Sequence, residues 1–584
     1  MPQEATWRRR YRATLASLPV WAEDQADRLL QVSNEEGRFE LYSWDLRTGD
    51  RRRMTDRPEG TRTGAIEPGG RQVWWFDDEG GSEHGVWRAQ PFEGGPAVAA
   101  APGLAPAYPS GLALGHGLAV VGTTGDDGSD VHLVRPGATP ARVYHSVEYA
   151  AVGGLSRDGG LLAIEHSEHG DSRHPALRVL DVSGEAVADL WDGPGLGLSA
   201  EDWSPRRGDQ RLIVTNERQG VRRPAVWSPR EGALLEPPVD LPGEVSATWY
   251  PDAAALLLRH QHAGRSQLYR YELGSGTLQE VTVPPGSVGA AAVRPDGRIW
   301  IEHSSGARPP AFLEADRVLF TPPGAAAPAG VPYRDLQVGD VHGFWVAPPG
   351  PPPHPTIFWV HGGPAAHDRD AFSPRVQAWV DHGYAVVLVN YRGSTGYGRE
   401  WRDALQDNPG LTELEDLAAV RAHLVREGLA DPSRLILGGA SWGGYLTLLG
   451  LGRQPDAWSL GLAAVPVADY VAAFEDEMEP LQAFDRALFG GTPAEIPDRY
   501  LERSPITYVD RVRAPLLIIA GRNDPRCPIR QIENYLGRLR SLGHPHEFYE
   551  FQAGHSSLVI DEQIRQMEAQ IAFAHRHLAT PSPL

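Results

Sequence analysis

Between Asp27 and Phe320 one short phrase recurs: an apolar residue, a turn built on Pro-Asp-Gly or Arg-Asp-Gly, then a second apolar run. It stands at Leu155-Ser-Arg-Asp-Gly-Gly-Leu-Leu-Ala-Ile164 and Val293-Arg-Pro-Asp-Gly-Arg-Ile-Trp300. Looser copies begin at Ile66, Trp203 and Ala247. Each leads into a further β-rich run and another turn, as Leu177–Val182 and Leu268–Leu273 do, and no long helical periodicity intervenes. A spacing of roughly 40–50 residues is the period of propeller arrays. In such an array each blade is an antiparallel sheet that buries its faces only against its neighbours. About seven units fit the stretch, Leu114–Leu133 being the poorest match. A β-sandwich or a stack of separate β domains is the other packing of the same texture.

The regime changes across Thr321-Pro-Pro-Gly-Ala-Ala-Ala-Pro-Ala-Gly330 and Ala347-Pro-Pro-Gly-Pro-Pro-Pro353. Beyond them strand-like runs at 357–360, 385–390, 435–438, 460–465, 516–520 and 546–551 alternate with helical patterns at 411–427, 445–451, 529–542 and 560–577. That alternation predicts a parallel α/β sheet. Ahead of the repeats, Trp7, Tyr11, Leu15 and Leu18 fall near one face of a helix spanning Met1–Leu18. The expected fold is therefore multidomain, all-β and α/β. It comprises an N-terminal helix at 1–20, a β-propeller at 21–322 and an α/β domain at 323–584.

Composition narrows the function. At 584 residues the chain exceeds what one core can serve. Mean hydropathy of −0.35 and the lack of an apolar run long enough for a bilayer predict no membrane partner. The arginines at 8–10 have no apolar run behind them, so a secretory leader is not expected. A single cysteine, Cys527, leaves no disulfide framework and no cysteine-based zinc site, and suits a reducing cytoplasm. A net charge of −20 argues against nucleic acid as the partner. All 55 basic residues are arginine, which removes the P-loop lysine, the Schiff-base lysine and any Ser-Lys catalytic pair. No metal or cofactor is expected, and the chain is expected to form a homo-oligomer.

One motif carries chemistry. Leu435-Ile-Leu-Gly-Gly-Ala-Ser441-Trp-Gly-Gly-Tyr445 reads as strand, sharp turn and helix, with Ser441 at the centre of G-x-S-x-G. In a chain with 65 glycines the pattern alone means little; its setting and its partners give it weight. Asp524 follows the run Pro515–Ala520 and His555 follows the run His546–Phe551, both in loops at strand C-termini. The order Ser441, Asp524, His555 is that of α/β-hydrolases. In that scheme His555 takes the serine proton and Asp524 fixes the imidazole. His361-Gly-Gly-Pro364 follows an earlier strand, and the N–H groups of Gly363 and Trp442 are the natural oxyanion donors. His361, Arg526 and Tyr445 are expected in the substrate's vicinity.

His361-Gly-Gly-Pro, Asn390-Tyr-Arg-Gly-Ser-Thr-Gly-Tyr-Gly398 with Trp401, Gly439-Ala-Ser-Trp-Gly-Gly-Tyr, Asn523-Asp-Pro-Arg-Cys-Pro528 and Ala553-Gly-His together resemble the prolyl oligopeptidase family of serine peptidases. Within it the likeness is to the acylaminoacyl-peptidase branch. The resemblance implies a seven-bladed N-terminal propeller and an N-terminal helix packed back on the hydrolase domain. It also implies cleavage of short peptides, with release of a terminal, acylated residue. In some branches of that family a tyrosine side chain serves the oxyanion; His361-Gly-Gly-Pro stands there instead and implies a backbone donor. Trp442 stands where tyrosine is common in that family, and Cys527 where valine or threonine is usual. An esterase or carboxypeptidase using the same three residues is the enzymatic alternative. A propeller scaffold with a vestigial hydrolase is the non-enzymatic one.

Overall fold

The computed structural model describes residues 4–314, 317–406 and 408–578. Seven four-stranded antiparallel sheets follow one another at 20–53, 64–99, 108–146, 150–190, 199–235, 244–281 and 287–320. In each the strands pair in sequence order, so every connection inside a sheet is a hairpin. The first strands of successive sheets are neighbours around an axis, which makes the unit a seven-bladed β-propeller. Inner strands of blades one, four, five, six and seven enclose a cavity of ≈ 470 Å³ walled in part by Trp21, Trp203 and Trp249.

The recurring phrase is the turn between the first and second strands of a blade. Ser156 N–H bonds to Leu161 O at 2.8 Å and Gly159 N–H to Ser156 O at 2.7 Å; Arg294 N–H and Gly297 N–H repeat the pattern, each at 2.8 Å. The turn closes in the left-handed region, φ +73° at Gly159 and +84° at Gly297, where only glycine is free of strain. In the sixth blade Ala253 takes that place at φ +53°, at a cost of roughly 1–2 kcal/mol.

Among the described residues no strand is exchanged between the first and last blades. Their seam is closed by Leu18, Leu29, Trp300 and Phe312. The Arg294 guanidinium lies over both Trp21 and Trp300, 4.9 and 4.3 Å from the ring centres, and donates to Ala26 O at 2.7 Å.

The second domain is an eight-stranded sheet. Its spatial order is 334–338, 341–346, 385–390, 354–360, 430–440, 460–464, 516–521 and 546–551. The hairpin at the first edge is antiparallel and the remaining pairs from 385–390 onward are parallel. Side-chain alternation separates two cores. Phe358, Val360, Leu435 and Leu437 face the helices Leu411–Arg426, Trp442–Arg453 and Ile529–Ser541. Ile357, Trp359, Ile436 and Ile519 face Pro374–Asp381 and Ile560–His577.

The N-terminal helix is shorter than its periodicity suggests, Thr6–Arg12; Met1 lies outside the described residues. It stops because the following residues are drawn onto the first blade. Leu15 N–H reaches Asn34 Oδ1 at 2.7 Å and Ser17 N–H reaches Val32 O at 2.9 Å, and backbone so engaged cannot continue a helix. Trp7 and Tyr11 pack with Trp379, Met567 and Ile571 of the hydrolase domain. Arg10, 5% exposed, donates to Asp381 at 2.6 Å and to the carbonyls of Pro328 and Ala329. Arg10→Ala strands these acceptors at the helix–hydrolase contact. It is expected to cost about 1–3 kcal/mol, read as a lowered melting temperature of the hydrolase domain; an unchanged melt would assign the anchoring to Trp7 and Tyr11 alone.

Candidate active site

The strand Ala430–Ala440 and the helix Trp442–Arg453 meet at Ser441. Its backbone is held at φ +57°, ψ −121°, a region L-residues rarely occupy. Crowding enforces the turn. A Cβ at Gly443 would lie 2.0 Å from Val360 O, and one at Gly439 2.5 Å from Gly443 C. Ser441 N–H is tied to Ala464 O at 2.9 Å. Its side chain makes no cap bond to the helix, and it is half-buried at the sheet edge.

The His361-Gly-Gly-Pro turn lies directly against this elbow. A Cβ on Gly362 would stand 3.2 Å from Ser441 Cβ and 3.7 Å from Trp442 N. His361 itself anchors the turn from behind. Its ring stacks on Tyr391 at 4.3 Å between centres, and its nitrogens meet Ser394 Oγ at 2.9 Å and Gly362 O at 2.8 Å. Tyr391 OH donates to His361 O at 3.0 Å. Burial lowers the His361 imidazole to about 4, so it is neutral at pH 7. Tyr445 is fully buried beneath Trp442, 4.8 Å between ring centres.

Asp524 and His555 are brought together. Asp524 Oδ2 accepts from His555 Nδ1 at 2.7 Å. Its other oxygen accepts the N–H groups of Arg526 and Cys527, at 2.9 and 3.0 Å. The carboxylate is 1% exposed and the imidazole 16%. Donor atoms of Asp524, Cys527 and His555 lie within 4.8 Å of one another, two of them already committed to each other. Cys527 is buried, which pushes its thiol well above the ordinary range.

Among the propeller segments that reach this site is the tip between strands Gln72–Asp78 and Gly85–Pro91 of the second blade. Arg526 forms a two-pronged pair with Glu83, both contacts 2.8 Å, and Asn523 Nδ2 donates to Gly80 O at 3.1 Å. A Cβ on Gly554, beside His555, would lie 1.8 Å from Gly81 O. The propeller therefore touches both the acid loop and the histidine loop. A cavity of ≈ 230 Å³ lies between the domains here, lined by Arg62, Phe76, Glu83, Pro109, Arg526 and His555. The Arg526–Glu83 pair and the loop it anchors give no signal in sequence, since Glu83 belongs to a turn 443 residues away.

Residues 370–580 match the prolyl oligopeptidase family. Over these residues the chain is similar to that family. The match begins after His361-Gly-Gly-Pro and takes in Ser441, Asp524 and His555. The chain is 27% identical over 290 residues to acylamino-acid-releasing enzyme of Rattus norvegicus, covering 48% of this chain and 39% of that one. It is 34% identical over 193 residues to dipeptidyl aminopeptidase BIII of Pseudoxanthomonas mexicana, covering 31% and 27%. The chain thus spans well under half the length of these curated relatives. Among solved structures, Pyrococcus horikoshii acylaminoacyl peptidase superposes with a TM-score of 0.73 at 17% identity, covering 100% of this chain and 99% of that one. A puromycin-hydrolyzing peptidase of Mycobacterium tuberculosis gives 0.80 at 20% identity, covering 100% and 98%. These likenesses show the shared fold, a propeller joined to an α/β-hydrolase.

Trp442, which follows the serine, is tethered inward. Its Nε1–H donates to Glu413 Oε1 at 3.0 Å, and Gly410 N–H to Glu413 Oε2 at 2.8 Å. Burial pushes the Glu413 carboxyl up to about 8. The folded chain therefore keeps a proton that the unfolded chain releases near the ordinary carboxylate value, and stability falls as pH rises between those two values. Glu413→Gln loses one acceptor yet cannot ionise. Relative to wild type it should be destabilised at about pH 5, with the gap narrowing or reversing by about 1–4 kcal/mol toward pH 8. Urea unfolding at both pH values checks this; a constant gap would show that burial does not raise the Glu413 carboxyl in the folded chain.

Proposed function

We propose that the chain is a serine peptidase that acts on short peptides and releases an N-acylated residue from blocked ones. Ser441 attacks the scissile carbonyl while His555 Nε2 takes its proton. Asp524 holds the imidazole in that tautomer and stabilises the imidazolium. The N–H groups of Gly363 and Trp442 receive the oxyanion, aided by the N-terminus of the helix that Trp442 begins. The proton then passes from His555 to the leaving amine, and water activated through His555 releases the acyl group from Ser441. The observation that carries the reading is the Asp524–His555 contact at 2.7 Å, with the second carboxylate oxygen fixed by two backbone N–H groups.

The preference for a blocked end rests on charge. A free amine buried near the reaction centre needs an unengaged carboxylate. Of the propeller's acidic doublets Glu35-Glu36, Asp77-Asp78 and Asp126-Asp127, Glu35 pairs with Arg51 at 2.7 Å, Glu36 with Arg53, and Asp77 with Arg57 at 3.1 Å, while Asp78 accepts Glu83 N–H and Asp126 meets Glu479. Arg222 and Arg223 are the arginines that would grip a C-terminal carboxylate in the carboxypeptidase alternative; Arg223 donates to Leu241 O and Gly243 O at 2.6 Å each, and Arg222 donates to Ser199 Oγ at 2.9 Å, which weighs against that clamp. The small space between the domains beside His555, ≈ 230 Å³, supports short peptides over folded chains as substrates. A cytoplasmic location and assembly into a homo-oligomer belong to the same reading.

Ser441→Ala should abolish fluorophosphonate labelling and peptide turnover while leaving the melting temperature close to wild type. Labelling of the folded variant would remove Ser441 as nucleophile. Acetyl-aminoacyl anilides should turn over with higher kcat/KM than their free-amine counterparts. Mass spectrometry on one peptide capped at each end in turn reads which residue leaves. Loss of the C-terminal residue, stopped by amidation, would replace this reading with a carboxypeptidase.

A further inference from the structure

The ≈ 470 Å³ cavity on the propeller axis lies at the end of the ring away from the hydrolase domain. Arg157, Pro205, Pro251 and Pro295 line it, and each leads into the turn between the first and second strands of its blade. In an antiparallel blade those turns stand at the opposite end from the tip between the second and third strands. In the second blade it is that tip which meets the acid and histidine loops. The cavity is therefore separate from the site around Ser441.

Its walls are aromatic and acidic. Trp21, Trp203 and Trp249 bring indole rings from blades one, five and six. The first strand of blade five is bulged at Glu201, and a bulge breaks the alternation of faces. Glu201 and Asp202, consecutive in sequence, therefore both line the cavity. Asp202 Oδ2 accepts from Thr248 Oγ1 at 2.7 Å and from Trp249 N–H at 3.4 Å, which fixes the carboxylate against blade six. Among the described residues its Oδ1 has no hydrogen-bond partner, and the carboxylate has no salt bridge. Glu201 accepts from Thr215 Oγ1 at 2.7 Å and has Arg222 at 4.0 Å. Arg157, the cation among the lining residues, is already paired with Glu23 at 2.7 Å and with Asp24. Burial pushes the Asp202 carboxyl up to about 6, which leaves it mostly ionised at pH 7. A donor is idle as well. Trp203 is 7% exposed and its Nε1–H has no acceptor. The indole edge lies beside Gly154 of the cavity wall, where a Cβ would come within 3.3 Å of Nε1.

We infer that this cavity binds the free N-terminal end of a peptide. The ammonium goes to Asp202 Oδ1 with Glu201 beside it, the first carbonyl oxygen to Trp203 Nε1–H, and an apolar first side chain to the indole rings. An ammonium that leaves water needs a carboxylate in return, and Asp202 is one with no cation of its own. A cavity of this size accommodates a residue or two. A blocked peptide brings no ammonium and is refused. The far mouth thus selects the class of molecule that removal of an acylated residue leaves behind. That link rests on the proposed reaction; the binding itself does not.

Titration calorimetry at pH 7 on the Ser441→Ala protein compares three probes: phenylalaninamide, 3-phenylpropanamide, which lacks the amine, and N-acetylphenylalaninamide, in which it is blocked. Phenylalaninamide should bind at least about tenfold more tightly than either of the others, equivalent to about 1.4 kcal/mol. Asp202→Asn keeps an oxygen for Thr248 and Trp249 and should abolish that preference; Glu201→Gln should reduce it. Equal affinity for phenylalaninamide and 3-phenylpropanamide, or a preference unchanged in both variants, would overturn the inference. On the wild-type protein phenylalaninamide should not slow fluorophosphonate labelling, because the two sites are separate. Competition between them would return the ligand to the active site and overturn the assignment. Failure of the labelling itself would remove Ser441 as nucleophile and leave the calorimetric preference to decide the cavity.

Discussion

Everything in the catalytic half is arranged around the left-handed backbone of Ser441. A residue at φ +57° persists only where its surroundings leave no alternative, and here three strands supply them. Val360 O crowds Gly443, Ala464 O holds Ser441 N–H, and the strand ending at Ala440 delivers the chain into the turn. The same closeness brings Gly362 within a side chain's width of Ser441 and Trp442 N. The elbow and the proposed oxyanion turn are thus one packed object. His361 completes it as an internal brace, because a neutral imidazole stacked on Tyr391 and bonded to Ser394 fixes the turn without adding charge near the serine.

Charge is organised by the same economy. The acid loop satisfies one Asp524 oxygen with its own backbone and gives the other to His555. The propeller then grips that loop through Arg526 and Asn523. Elsewhere buried carboxyl groups are either bonded to donors, as Glu413 is to Trp442, or left bare, as Glu477 and Asp485 are.

Much of this was legible from the chain alone. The G-x-S-x-G turn is local, so strand, elbow and helix are spelled in consecutive residues. The blade turns are legible for the same reason, since Ser156–Leu161 and Arg294–Arg298 close within a few residues. What was not legible is long-range. Periodicity carried the N-terminal helix to Leu18, but Asn34 and Val32 of the first blade end it at Arg12. The antiparallel hairpin at 334–346 and the helices at 470–503 escaped notice because proline and short length blunt their patterns. Tyr445 and His361 were expected beside the substrate on proximity in sequence; the helix and the turn direct both inward.

The seam between the first and seventh blades carries a mechanical consequence. Both covalent links to the hydrolase domain, at residues 18–20 and 320–334, leave the ring at that seam. Half a ring away the domains meet through ion pairs, Arg402 with Glu217, and Arg173 and His174 with Asp403. The molecule is therefore jointed like a clasp, with the chain itself as pivot and a row of charges as the catch. Any parting of the two halves is restrained on that side by the chain itself, and it must break the largely buried ion pairs opposite, which salt screens weakly.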